Sequence, residues 1–96
     1  MKILLSERAH IDLLRIYSFI ADRNPKAAEN VLRRINEKFG QLSELPFIGR
    51  ERSSLAPGLR SVVSGNHVIF YRVAEEAITI LRVIDGRMDI DEEFRR

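Results

Sequence analysis

Four ionisable residues gather around one glycine near the end of the chain: Arg82, Asp85, Arg87 and Asp89, in the stretch ITILRVIDGRMD. Arginine binds phosphate or carboxylate through paired hydrogen bonds, and a neighbouring carboxylate could orient it or move a proton. The stretch begins as an apolar strand, so the same residues could equally be its solvated end, where surface ion pairs add little stability. The residue types thus allow a catalytic site, a docking surface or a simple strand end.

Other chemistries have weaker support in the sequence. There is no cysteine, so neither a disulfide nor a thiolate metal site can form. The two histidines, His10 and His67, have no partner at metal-ligand spacing, and we expect no metal and no cofactor. No serine lies in a G-x-S-x-G turn, which argues against a serine nucleophile. The glycines are scattered and form no phosphate-binding loop, and each one, including Gly40, is interpreted as a turn or a helix end.

Length and composition limit the kind of protein. A chain of 96 residues predicts a single domain, residues 1–96, with a thin core, which favours work at a surface over a deep substrate pocket. The 16 basic residues exceed the 14 acidic ones only slightly, but most of them are arginine. This bias is compatible with a polyanion or an acidic protein partner. The apolar start is too short for a signal peptide or a membrane span, so we expect a cytoplasmic protein.

The N-terminal half predicts a short strand and two helices. MKILL is typical of a strand, and Ser6 is a good cap for a first helix. Pro25 ends that helix, while Asn24 caps the second one. A tight link between two amphipathic helices predicts an antiparallel helical hairpin. The apolar stripe of the first helix comprises Ala9, Leu13, Ile16, Tyr17 and Ile20, and that of the second comprises Ala27, Ala28, Val31, Leu32, Ile35, Phe39 and Leu42.

The C-terminal half predicts a loop, three strands and a short helix. Leu45 to Arg60 holds two prolines and two glycines, as a loop does. Strand-like runs follow at Leu59 to Ser64, His67 to Val73 and Ile78 to Asp85, joined by links short enough for hairpins. MDIDEEFRR predicts a short helix over the second apolar face of the sheet. The predicted fold class is α+β: an N-terminal strand, an antiparallel helical hairpin, a three-stranded antiparallel meander and a short C-terminal helix.

Three sequence blocks carry a family resemblance. They are A..DL..I..FIA..NP.AA from Ala9, L...P..GR from Leu42, and LR......HVIFYRV....ITILRVIDGRMD from Leu59. In order and spacing they resemble the RelE/ParE superfamily of small toxins from bacterial type II toxin–antitoxin pairs, and they are most similar to its ParE branch. The resemblance implies a toxin neutralised by an acidic antitoxin, which alone would bind operator DNA. Members of the ParE branch are implied to poison DNA gyrase, and members of the RelE branch to cleave messenger RNA on the ribosome.

The two branches imply different roles for the same residues. RNA cleavage needs proton transfer and cations, for which the candidates are Arg60, His67, Arg82 and Arg87. Asp85 stands where many ribonuclease-type relatives carry histidine, and the tail DIDEEFRR lacks their Tyr or Lys. The leading hypothesis is therefore a toxin without catalytic residues that binds gyrase through Arg60, Arg82, Asp85 and Arg87, with Arg82 and Arg87 facing the partner. A ribosome-dependent ribonuclease and a degenerate, non-toxic interaction module remain alternatives.

Phe19 interrupts the polar face of the first helix. That face otherwise carries Arg8, Asp12, Arg15 and Asp22. The sheet also has more apolar surface than one helical hairpin can cover, which predicts that a partly disordered antitoxin completes the core as it binds. Tyr71, in an aliphatic strand, is also typical of a core residue. The predicted antitoxin-binding residues are Ile11, Leu14, Arg15, Phe19 and Tyr71.

Overall fold

The computed structural model describes all 96 residues, which form five strands and three helices. In chain order these are β1 (Lys2–Leu5), α1 (Glu7–Ala21), α2 (Pro25–Glu44), β2 (Arg50–Glu51), β3 (Leu59–Ser64), β4 (His67–Val73), β5 (Ala77–Asp85) and α3 (Ile90–Arg95). The predicted fold class is confirmed, including the C-terminal helix. None of the three helices has the length and apolarity needed to cross a bilayer.

The five strands form one mixed sheet in the order β1-β5-β4-β3-β2. The meander β3-β4-β5 is antiparallel, as predicted, but β1 joins β5 in parallel, with Lys2 beside Ala77. The predicted loop from Leu45 to Arg60 contains the short strand β2, which pairs antiparallel with β3. The sheet is therefore not purely antiparallel, and β1 lies at one of its edges.

The helix boundaries follow the predicted caps. The Ser6 side chain accepts a hydrogen bond from the Ala9 amide, and Asn24 accepts one from the Ala27 amide. Pro25 occupies the first turn of α2, where its missing N–H is not needed. Gly40 was expected at a turn or helix end but lies inside α2, because the surrounding apolar stripe continues to Leu42.

Two apolar layers hold the sheet. The helical hairpin covers one face and α3 the other, so the short C-terminal helix packs where the sequence predicted it. In the second layer the Phe94 ring lies 4.8 Å from the ring of Phe70. The first layer is built around Ala9, Ile35, Phe39, Leu42, Ile69, Tyr71, Ile78, Ile80 and Val83, and the second around Leu59, Val68, Phe70 and Ile84.

Candidate functional site

A cavity of about 580 Å³ lies between one flank of α1, the end of β5 and the C-terminal segment, and we call it the α1–β5 cavity. α1 contributes residues three or four positions apart, which places them on one stripe of the helix. That stripe comprises Arg8, Asp12, Arg15 and Phe19. The end of β5 and the turn after it contribute Arg82, Asp85 and Arg87, and β4 contributes His67. The cavity thus brings together residues predicted to bind the antitoxin with residues predicted to bind gyrase. The first set is Arg15 and Phe19, and the second is Arg82, Asp85 and Arg87.

A larger groove of about 710 Å³ runs between β1 and α2. Its lining is mainly aliphatic and includes no charged side chain. It can accept apolar groups, and the Met1 ammonium beside it is already bound to the Ser43 carbonyl at 2.7 Å. The α1–β5 cavity is therefore the better candidate for a specific site.

Asp12 and Arg82 form a buried ion pair at the inner wall of the cavity. Asp12 Oδ2 accepts from Arg82 Nε at 2.8 Å, and Oδ1 accepts from Arg82 Nη2 at 3.1 Å. The two residues are only 6% and 7% exposed. The expectation that Arg82 faces a partner, and that Asp12 belongs to a solvated helix face, is therefore wrong. The flank of α1 packs against the end of β5, which excludes water from both side chains.

The same pair ties three elements together. β1 pairs with β5 only as far as Ile80, and beyond that point the Asp12 carboxylate accepts the Val83 amide at 2.9 Å. Arg82 Nη1 donates to the Glu93 carbonyl in α3 at 2.6 Å. A buried charge is tolerated when its hydrogen-bonding capacity is filled in this way. Arg82 therefore serves the fold, joining α1, β5 and α3.

Asp85 holds Arg87 in a fixed position at the mouth of the cavity. Its carboxylate accepts from Arg87 Nη2 at 2.6 Å, from Nε at 3.0 Å and from the Arg87 amide at 2.9 Å. The side-chain hydrogen bond from Arg87 is the main cause that lowers the pKa of Asp85 to about 2. The Arg87 side chain is still 75% exposed. The pair thus presents an oriented guanidinium to solvent beside a permanently ionised carboxylate.

His67 opens β4 directly beside Asp85 in the sheet register. Burial lowers the pKa of His67 below its ordinary value of 6.5, although the charge of Asp85 opposes this effect. The imidazole is therefore neutral near pH 7. It could accept a proton, but its neighbour Asp85 is already bound to Arg87.

Arg60 does not line the α1–β5 cavity: it borders a separate small pocket beside Phe47, and strand β4 lies between its strand and that of Arg82. It pairs with Tyr71 at the start of β3, whereas His67 pairs with Ser64 at the other end of that strand. Arg60 Nη1 donates to the Gly49 carbonyl at 2.8 Å, which holds the loop before β2. The four residues proposed for RNA cleavage therefore do not form one site. No group of His, Cys, Asp or Glu side chains is placed to hold a metal ion either.

Tyr71 is fully buried, so the expectation that it contacts an antitoxin is wrong, whereas the core interpretation is confirmed. Its hydroxyl accepts from the Gly49 amide at 2.9 Å and donates to the Pro46 carbonyl at 2.8 Å. This hydroxyl anchors the same loop that Arg60 holds. A buried tyrosine needs such partners, and the polar loop supplies them.

The other predicted antitoxin-binding residues lie at or near the surface. Leu14 and Phe19 are each 68% exposed, and Ile11 is half-buried. Of this set only Arg15 and Phe19 line the cavity. Sequence reasoning missed Arg8 as a cavity residue, although its place one turn before Asp12 on the same stripe was the available signal. It also missed Met88, Glu93 and Arg96, whose positions depend on how α3 folds back.

Sequence comparisons connect the chain to one group of proteins. A family model described as "ParE toxin of type II toxin-antitoxin system, parDE" matches residues 3–90. Toxin ParE3 of Caulobacter vibrioides is 40% identical over 80 residues, covering 82% of this chain and 80% of the relative. Toxin ParE1 of Mycobacterium tuberculosis is 37% identical over 90 residues, covering 92% of each.

Solved structures agree with these sequence matches. One described as "Chromosomal ParDE TA system from P. aeruginosa" has a TM-score of 0.76 and 26% identity, covering 88% of this chain and 95% of that one. The RelBE2 toxin–antitoxin complex of Mycobacterium tuberculosis has a TM-score of 0.63 and 27% identity, with the same coverage. The fold and the sequence therefore indicate the same relatives.

Proposed function

The chain belongs to the ParE family of toxins from type II toxin–antitoxin systems, and on this premise we propose that it binds and poisons DNA gyrase in the cytoplasm and is neutralised by a cognate antitoxin. It acts as a binding protein without catalytic residues of its own. Gyrase supplies the chemistry, and the toxin traps it in a damaging state. Operator DNA is contacted only through the antitoxin.

One observation carries this proposal over the ribonuclease alternative: the candidate catalytic residues are separated or already engaged. Arg82 is bound to Asp12, and Arg60 borders a different pocket, with strand β4 between its strand and that of Arg82. Cleavage of RNA requires a base, an acid and cations around one phosphate, within hydrogen-bond reach. Asp85, at the mouth of the cavity, is bound to Arg87 and has a pKa lowered to about 2, so it is a poor general base at neutral pH.

The exposed side chains suit protein binding. Arg87 and Phe19 belong to residue types that are enriched at protein interfaces, and Leu14 adds an exposed apolar side chain on α1. Two solved relatives are toxin–antitoxin systems by description, which supports an antitoxin as one partner. Arg87 and Asp85 are the residues we assign to gyrase.

The experiment is to induce the chain without its antitoxin in a bacterial host and to follow incorporation of labelled thymidine and labelled methionine over the first minutes. We expect DNA synthesis to fall first, together with a DNA-damage response. Purified toxin should then inhibit supercoiling by purified gyrase and increase cleaved DNA. Arg87→Ala should reduce both effects, whereas Arg33→Ala, an exposed arginine on α2, should leave them unchanged.

Each alternative has its own outcome in this experiment. If translation falls before DNA synthesis does, gyrase is not the target, and the result indicates the ribosome instead. Accumulation of soluble protein with both syntheses intact would contradict toxicity and indicate the interaction module. Toxicity that persists at full strength in Arg87→Ala would remove this residue from the mechanism.

A further inference from the structure

We propose that the loop of residues 45–49, between α2 and β2, is a preformed contact surface for gyrase, and that its apolar side chains enter an apolar pocket on that protein. The inference rests on the proposed function for the identity of the partner. It adds a second surface to the pair of Asp85 and Arg87. It also assigns Tyr71 and Arg60 as the residues that position this surface.

The 45–49 loop exposes a cluster of large apolar side chains. Phe47 is 64% exposed, Leu45 is 53% exposed and Ile48 is 43% exposed. The three side chains belong to four consecutive residues of one turn, so they form a single patch. Scattered apolar side chains on a surface need no explanation, whereas a patch of them is typical of an interaction site. The patch therefore calls for an occupant that removes it from water.

The backbone of the loop is bound to the protein and not to solvent. The Tyr71 hydroxyl accepts from the Gly49 amide at 2.9 Å and donates to the Pro46 carbonyl at 2.8 Å. Arg60 Nη1 donates to the Gly49 carbonyl at 2.8 Å and to the Phe47 carbonyl at 3.3 Å. Two side chains of the sheet thus hold the polar groups of the loop, while its apolar side chains remain exposed.

This anchoring should favour binding, because a loop that is already ordered loses less conformational entropy when a partner binds. The Tyr71 side chain is fully buried, so the core determines where its hydroxyl holds the loop. The guanidinium of Arg60 also lies 5.0 Å from the centre of the Phe47 ring, which restricts the most exposed of the three side chains. The structure therefore presents the patch in one fixed conformation.

The charges around the loop favour gyrase over the acidic antitoxin as its occupant. Arg60 is paired with Glu51 at 3.4 Å, and the exposed residues that flank the loop, Glu44 and Arg50, have opposite charges. This surface carries no net charge and so does not attract an acidic segment. Large apolar side chains contribute most when they fill a well-packed pocket, which a partly disordered antitoxin lacks before it binds and a folded enzyme can supply.

The loop and Arg87 can contact the same partner. Asp85, which holds Arg87, pairs with His67 in β4, and Tyr71 lies four residues further along that strand. Four residues of a strand span roughly 13 Å. A protein interface of standard size contains about 20–30 residues on each side, so one binding mode can include both surfaces.

The first test is an affinity series with purified gyrase as the probe. The toxin variants are Phe47→Ala and Ile48→Ala, and the matched control is Val63→Ala, an aliphatic side chain on β3 that is 60% exposed. Each variant is checked for wild-type thermal unfolding before use. We expect a loss of affinity of about tenfold or more for Phe47→Ala and less than about threefold in the control. Affinities within about threefold of wild type in both loop variants overturn the proposal.

The second test separates positioning from stability. Tyr71→Phe removes the hydroxyl and keeps the ring in the core, so we expect a folded protein with reduced affinity for gyrase. The loss caused by Phe47→Ala should be smaller in the Tyr71→Phe background, because the released loop no longer presents Phe47 in its binding position. Equal losses in the two backgrounds overturn the positioning role of Tyr71, since a purely structural role gives additive effects.

The third test concerns the other candidate occupants, the antitoxin and a second copy of the chain. We expect the cognate antitoxin to bind Phe47→Ala as tightly as wild type, and analytical ultracentrifugation to show no toxin oligomer that Phe47→Ala dissociates. A selective loss of antitoxin affinity, or such an oligomer, overturns the assignment to gyrase. If gyrase binds wild type and all variants equally, only this inference fails. If gyrase does not bind the wild type either, the proposed function fails and this inference fails with it.

Discussion

At the scale of single residues, the Asp12 carboxylate connects α1 to β5. One carboxylate accepts three hydrogen bonds, from Arg82 Nε, Arg82 Nη2 and the Val83 amide, across about 70 positions of sequence. Such a pair adds little compared with a well-packed apolar replacement, but loss of one partner leaves the other charge buried and uncompensated. The stability of the folded protein should therefore be sensitive to the loss of either residue.

We expect Asp12→Ala to lower the free energy of unfolding by about 3–5 kcal/mol, because it leaves the Arg82 charge buried and unpaired. Arg82→Ala should also destabilise, but by less, because Arg8 remains 4.0 Å from the Asp12 carboxylate. Urea denaturation followed by circular dichroism measures the change. Arg87→Ala serves as the control, since its side chain is exposed, and it should leave the free energy of unfolding close to that of the wild type. A cost at Arg82 no larger than at Arg87 would contradict the buried pair.

His67 should make stability depend on pH. Burial lowers the pKa of His67 below 6.5 in the folded protein, so the unfolded chain binds this proton more readily. Its contribution is complete above pH 6.5 and is lost as the pH falls below that value toward the folded-state pKa. We expect wild-type stability to decline over this range and His67→Gln to decline less, as measured by urea denaturation. His10→Gln is the control, and an unchanged decline in His67→Gln would refute this prediction.

Sequence reasoning found the residues of the cavity only in part. Phe19 was recognised because an aromatic residue breaks the polar stripe of its helix, and this signal is local. Asp12 and Arg82 were assigned to solvent because hydrophobic periodicity reports only which residues are polar. It does not report that a carboxylate on a helix flank meets an arginine in a strand some 70 residues later. Arg60 was grouped with the cavity for the same reason, since the sequence does not show that Arg60 borders a different pocket, two strands away from Arg82.

At the scale of elements, α2 contains one position that weakens it. Gly40 lies inside the helix, and a Cβ built there would meet no atom within 4 Å. Glycine in a helix interior costs about 0.5–1 kcal/mol relative to alanine. We therefore expect Gly40→Ala to raise the free energy of unfolding by about this amount in urea denaturation. Gly49→Ala is the opposing control, because a Cβ there would lie 2.7 Å from Tyr71 Cε1, and it should destabilise. Destabilisation by Gly40→Ala would contradict the open space at this site.

The helices were easier to predict than the strand pairings. Ser6, Asn24 and Pro25 fix helix ends through contacts with residues within three positions, so their signals are present in the local sequence. The parallel pairing of β1 with β5 joins Lys2 to Ala77, a choice that no local pattern encodes. β2 has two residues and thus no periodicity to detect.

At the scale of the whole molecule, charge is unevenly distributed, and this should be visible in the kinetics of antitoxin binding. The α1–β5 cavity carries the positive excess, and electrostatic attraction mainly accelerates association. We expect the association rate constant to fall by about tenfold or more when salt rises from about 50 mM to about 500 mM, with a smaller change in the dissociation rate constant. Stopped-flow mixing measures both. Arg15→Ala should reduce the salt dependence, and an association rate insensitive to salt would refute the electrostatic argument.

The contact between Gly49 and Tyr71 has a consequence for how this protein can change over evolutionary time. The hydroxyl of Tyr71 holds the Gly49 amide, and the ring leaves no room for a side chain at position 49. A mutation to any larger residue at position 49 is disfavoured as long as the tyrosine is present, while loss of the tyrosine first leaves a void in the core and an unbound loop. Each single substitution is expected to lower stability, so we expect the two positions to persist or to be replaced together.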